Sequence, residues 1–125
     1  MGEQQTKYKL EERTLLFSES VIDLCKGTSR SMVSDPIVRQ LIRSATSIGA
    51  NYAEANNASS RRDFRNKIFI AKKESQETLY WLRLMQKACG DSYDELLILQ
   101  EECRELLLIF QKITTTLEKS KTNEN

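Results

Sequence analysis

The sequence has 125 residues, 39% of them apolar and 30% charged, with a formal net charge of +1. That is the size of one domain with a single core, too apolar for a disordered chain, and no apolar run reaches the roughly 18–20 residues that span a bilayer. With no histidine, one proline and three scattered cysteines, it lacks the commonest general base and transition-metal ligand and has few places to turn.

Apolar residues recurring in steps of three and four define four helices. The first is expected near residues 7–26, with Leu10, Thr14, Phe17, Val21 and Leu24 as its seam, reinforced by Leu15, Ile22 and Cys25. Gly27 is placed to end it as a left-handed cap. The second, near 36–56, starts at Asp35-Pro36, read as an N-cap followed by proline in the first helical position. Its seam is Val38, Leu41, Ala45, Ile48, Tyr52 and Ala55. The third, near 61–89, opens on a capping box of Ser60 and Asp63. Its seam is Phe64, Ile68, Ala71, Ser75, Thr78, Leu82, Met85 and Cys89, and Gly90 is placed to end it. The fourth, near 92–119, opens on Ser92 and Glu95 and carries Leu96, Leu99, Cys103, Leu106, Phe110, Ile113 and Leu117. Short loops between long helices force antiparallel neighbours. The expected fold is all-α, one up-down-up-down four-helix bundle, with a short flexible N-terminus of about residues 1–6 and a polar tail of about 120–125.

Residues 42–64, "IRSATSIGANYAEANNASSRRDF", are crowded with small polar side chains. Ser44 and Asn51 flank the seam of the second helix. Gly49 in mid-helix costs roughly 1 kcal/mol relative to alanine, which a kink or a tight contact must offset. Close helix packing is one use for such a flank; a small-molecule groove is another. Arg43, Ser47, Ile48, Asn51, Glu54 and Ala55, then Ser60, Asp63 and Phe64, then Glu74, Glu77, Tyr80 and Trp81, stand in an order and spacing that resembles the bacterial four helix bundle protein family. This family is also called the 23S rRNA intervening-sequence protein family. The resemblance covers residues 10–119, with Gly49 standing where many members have proline and Ala55 where many have glycine. It implies a bundle that assembles with itself into a ring, commonly a pentamer. Some genes of the family lie inside inserts in ribosomal RNA genes, and a distant relative is a nucleic-acid-binding accessory of a reverse transcriptase.

Charge is distributed unevenly. Residues 37–89 hold ten Lys and Arg against four Asp and Glu, whereas residues 90–125 hold four against eight. Such asymmetry suits a nucleic-acid face or a head-to-tail contact between subunits. Opposite the seam of the third helix lie Arg62, Arg65, Lys72, Lys73, Arg83 and Lys87, the candidates for RNA binding through phosphate neutralisation, with Phe69 and Tyr80 interleaved to stack on unpaired bases. The same helix is apolar on several sides, so Phe69, Ile70, Tyr80, Trp81 and Leu84 are candidates for an interface between copies. Folding the second helix onto the third brings Arg43 level with Glu74, and Glu54 level with Arg61 or Arg62. Ion pairs among Arg43, Glu54, Arg61, Glu74 and Glu77 are expected on this hairpin flank. Glu74 and Glu77 fall off the seam, and without histidine they match no di-iron pattern. No triad, phosphate-binding loop or paired catalytic acids is present, so no enzyme, metal or cofactor is expected. The cysteine pattern favours reduced thiols in a cytoplasmic protein. The expectation is a non-enzymatic ring-forming scaffold that binds RNA or another acidic partner through its basic hairpin face. A protein-interaction module without nucleic-acid binding is the alternative.

Overall fold

The computed structural model describes residues 2–89 and 94–124, with side chains described for 9–89 and 94–120. Four helices run in order: α1 (Gly2–Lys26), α2 (Ser34–Asn56), α3 (Arg61–Ala88) and α4 (Asp94–Glu124). Each packs against its sequence neighbour, and α1 closes the bundle against α4. Cross-helix partners run in opposite order along every sequential pair. Ser18 and Thr14 meet Ala45 and Gly49; Arg43 and Glu54 meet Glu74 and Lys67; Ser75 and Leu82 meet Cys103 and Gln100. The topology is therefore up-down-up-down, and α3 lies diagonally across the bundle from α1.

The seams form the core. Leu10, Thr14, Phe17, Val21 and Leu24 of α1 are buried against Leu41, Ala45, Ile48, Tyr52 and Ala55 of α2 and their counterparts on α3 and α4. Each fully buried Leu, Ile or Phe contributes about 1.5–3 kcal/mol. Tyr52 and Phe110 meet edge to face with centroids 5.7 Å apart. Late in α4 the seam drifts. Thr114 is buried, while Ile113 and Leu117 only pack on the margin, because a straight helix slips roughly 20° per heptad against a strict 3.5 repeat.

Several local expectations are corrected. α1 and α4 extend to Gly2 and Glu124, since no proline or glycine interrupts the helical pattern of either end. Asp35 does not cap α2. Ser31 does that work, its hydroxyl accepting the Val33 and Ser34 N–H groups at 3.2 and 3.0 Å, so the helix begins two residues earlier, at Ser34. Pro36 stays in the first turn. Gly27 is not in the left-handed region. Its N–H reaches the Asp23 and Leu24 carbonyls, and Thr28 Oγ1 donates to Leu24 at 2.9 Å, so the last turn is satisfied without a positive φ. Ser60 caps α3 as expected, accepting from the Asp63 N–H at 3.0 Å. The caps expected at Gly90 and Ser92 lie outside the described residues.

Gly49 makes a tight contact. A Cβ there would stand 3.1 Å from Thr14 Oγ1 and 3.2 Å from Thr14 Cβ. The missing side chain lets α1 approach α2, and Ser18 donates across the gap to the Ala45 carbonyl at 3.3 Å.

Candidate functional site

The small-residue flank of α2 faces α3. Ser44 is fully buried and its hydroxyl accepts from Thr78 Oγ1 at 2.9 Å. Asn51 turns back on its own helix, donating to the Ser47 carbonyl at 2.8 Å. Ser44 is satisfied across the α2/α3 contact, and Asn51 within α2.

Beside them sits a charged cluster. Arg43 Nη1 lies 2.9 Å from Glu74 Oε2, and its other terminal nitrogen pairs with Glu77. Glu77 also accepts from the indole N–H of Trp81 at 3.0 Å, and Trp81 packs edge-on to Tyr80 with centroids 5.1 Å apart. Arg43 is steadied by its Nε–H bond to Gln40 at 3.0 Å. Glu74 is buried at 5% exposure, a correction to its expected place off the seam; it sits in the α2/α3 seam beneath Arg43 and next to Thr78. Glu54 pairs with Lys67 at 3.7 Å, one to two turns beyond the Arg61 and Arg62 positions expected to meet it. The register expected at Arg43 and Glu74 holds, and the difference is confined to the partner of Glu54 near the turn.

The outer face of α3 is cationic. Arg62, Lys73, Arg83 and Lys87 are exposed; Arg65 and Lys72 are half-buried. Among the described residues none of the six makes an ion pair, although Arg13, Arg43, Lys67 and Arg104 all do. Lys72 Nζ lies 5.9 Å above the Phe69 ring, within range of a cation–π attraction. Of the apolar candidates, Tyr80 is 56% exposed and Ile70 37%. Phe69, Trp81 and Leu84 are half-buried, with Trp81 packed on the core.

More aliphatic surface lies elsewhere. Leu15, Leu16 and Ile22 of α1 stand exposed, as do Leu97, Ile98 and Leu108 of α4. Leu15 and Ile22 do not reinforce the α1 seam; they line an open groove of about 700 Å³ between α1 and α2. Its floor is Gly49, Ala50 and Ala53, and Glu11, Glu12 and Glu19 stand along its α1 side. Sequence reading missed this groove. The available signal was the seven-residue spacing of Leu15 and Ile22, a second stripe well round the helix from the seam. It also missed the fork of Arg13, whose Nε and Nη2 both lie 2.7 Å from Glu102 and which reaches Glu105 at 3.3 Å, tying α1 to α4.

Among the described residues no group of His, Cys, Asp and Glu could hold a metal ion, and no helix is long and apolar enough to cross a membrane. Cys103 is buried, its thiol donating to the Ser75 carbonyl at 3.3 Å, and burial pushes it up to about 12. It is neither a nucleophile nor a ligand at neutral pH.

The chain matches, over residues 6–118, the family model described as 23S rRNA-intervening sequence protein. It is similar to a crystal structure from Bacteroides thetaiotaomicron of a protein with unknown function from the S23 ribosomal protein family. The two share 32% identity and a TM-score of 0.71, over 83% of this chain and 96% of that one. No curated protein matches it.

Proposed function

This chain belongs to the 23S rRNA-intervening sequence protein family, and from that premise we propose that it is a non-enzymatic helical scaffold that assembles with itself through the outer face of α3. One observation carries the reading. Large apolar side chains stand exposed at opposite corners of the bundle, Tyr80 on α3 and Leu15, Leu16 and Ile22 on α1. Exposed groups of large apolar side chains on a small domain mark interaction surfaces. Opposite corners cannot meet around a two-fold axis that uses one patch. They meet head to tail, and a head-to-tail contact whose rotation closes gives a ring. Five copies is the expected number. Light scattering on the purified protein tests the reading: the mass is a multiple of the 14.5 kDa chain, and a mass of one chain contradicts it.

A second reading is favoured by six cations without ion pairs among the described residues, spread along the outer face of α3 that also carries Tyr80. In it, the α3 face holds RNA, with Arg62, Arg65, Lys72, Lys73, Arg83 and Lys87 on phosphates and Tyr80 stacked on an unpaired base. Both readings use one surface. Retention of single-stranded RNA that falls steeply with salt supports the second. Its absence at low salt removes it.

A further inference from the structure

We infer that the groove between α1 and α2 is the receiving half of the self-contact, and that it takes the Tyr80 region of α3 from a second copy of this chain. The inference rests on the self-assembly proposed above and names its second surface. The groove follows α1 from Glu11 to Ile22, eleven residue steps or about 17 Å, close to three turns of a docked helix. Its floor is built of Gly49, Ala50 and Ala53, so a neighbour's helix can approach the α2 backbone and a ring can enter between Leu15 and Ile22. This is the geometry of a helix laid in a groove.

Charge selects the occupant. Glu12 and Glu19 stand exposed and without ion pairs among the described residues, two turns apart on the α1 side. A second copy's α4 offers Ile98 and Leu108, but Glu101 and Glu105 lie between them. Both are already paired, Glu101 with Arg104 and Glu105 with Arg13, so between Ile98 and Leu108 α4 brings no unpaired cation to Glu12 and Glu19. The α3 outer face presents the opposite sign. Lys73 and Lys87 each lie seven residues from Tyr80, Arg83 lies three, and none has an ion-pair partner among the described residues. Tyr80 is braced by Trp81, which is itself fixed by Glu77 and the core. A braced, exposed tyrosine amid cations is the kind of anchor that dominates interfaces. Within one chain α1 and α3 sit diagonally apart, so the two surfaces cannot satisfy each other internally.

Light scattering across a dilution series, with circular dichroism to verify helix content, tests this on four proteins. The wild type assembles. E12K/E19K and K73E/R83E each raise the concentration for half-assembly at least tenfold while staying helical. The combined variant E12K/E19K/K73E/R83E, with both signs exchanged, returns to the wild-type curve. An assembled wild type whose E12K/E19K variant assembles equally well overturns the groove assignment and leaves self-assembly standing. A combined variant that stays dissociated overturns the pairing. A wild type of single-chain mass overturns the underlying reading as well. If K73E/R83E keeps its assembled mass but loses RNA retention, the face belongs to RNA, and the inference falls.

Discussion

Arg43 Nη1 lies 2.9 Å from Glu74 Oε2, and Glu74 is the one buried carboxylate among the described residues. An ion pair with one buried member differs from the exposed pairs worth about 0–1 kcal/mol. Removing Arg43 leaves a buried carboxylate without its cation, so Arg43→Ala is expected to cost about 2 kcal/mol. Arg43→Lys keeps the charge but cannot span Glu74 and Glu77 together, and falls between. Urea unfolding measures both. An Arg43→Ala protein within about 0.5 kcal/mol of wild type, the scatter of ordinary surface changes, shows that the pair does not hold the α2/α3 contact.

Gly49→Ala gains about 1 kcal/mol of helix propensity. It also pushes a Cβ against Thr14, which is buried and whose hydroxyl donates to the Glu11 carbonyl at 2.9 Å. Thr14 has little room to move, and overpacking costs about 1–3 kcal/mol. The substitution is expected to lower the melting temperature. In a Thr14→Ala background the Oγ1 contact is gone and only the 3.2 Å approach to the residue 14 Cβ remains, so the same change is expected to lower it less. A double-mutant cycle with no coupling between the two sites contradicts the close approach of α1 to α2.

Burial pushes Cys103 up to about 12 and Cys25 up to about 11, above the ordinary 9. Folding favours the neutral thiol in both. Their contribution is therefore complete below pH 9 and is lost as pH rises through the folded values. Stability is expected to be level near neutrality and to decline from about pH 9 upward, with buried Tyr52, also raised by desolvation, adding to the fall. Urea midpoints across pH 7–11 measure it. Cys103→Ala lowers stability overall but flattens the alkaline slope. An unchanged slope contradicts the assignment.

The helices were legible in the sequence because burial on one face imposes a period that survives in the letters. Leu10 to Leu24 and Leu96 to Phe110 could be assigned inside from spacing alone. The Arg43–Glu74 pair was legible for the same reason: an antiparallel hairpin with a short turn fixes its own register. The groove was hidden because it belongs to two helices at once. Leu15 and Ile22 carry the same apolar signal as core residues, and only the fold shows them outside the seam, over the bare floor at Gly49 and Ala53. Arg13 was hidden likewise, since its partners Glu102 and Glu105 are some 90 residues away in sequence. Caps were least legible. Ser31, Ser34 and Asp35 are all competent to cap, and the choice fell to whichever hydroxyl met the first free N–H groups.

If RNA occupies the α3 face, each phosphate-neutralising cation contributes about 0.7 to the slope of log affinity against log salt for single strands. Charge reversal at exposed Arg62 and Lys87 is then expected to flatten that slope and weaken binding evenly across sequences. Filter binding of a short single-stranded RNA at several salt concentrations checks it. An unchanged slope assigns any retention to other residues.

The most direct measurement is the emission of Trp81, the sole tryptophan, followed as the protein is diluted through its assembly range. Trp81 lies against exposed Tyr80, on the face assigned to the self-contact. The account predicts a red shift on dilution that tracks the fall in scattering mass and is absent in the helical E12K/E19K variant, already dissociated. A mass that falls with no change in Trp81 emission would mean that copies meet elsewhere on the bundle, and would contradict it.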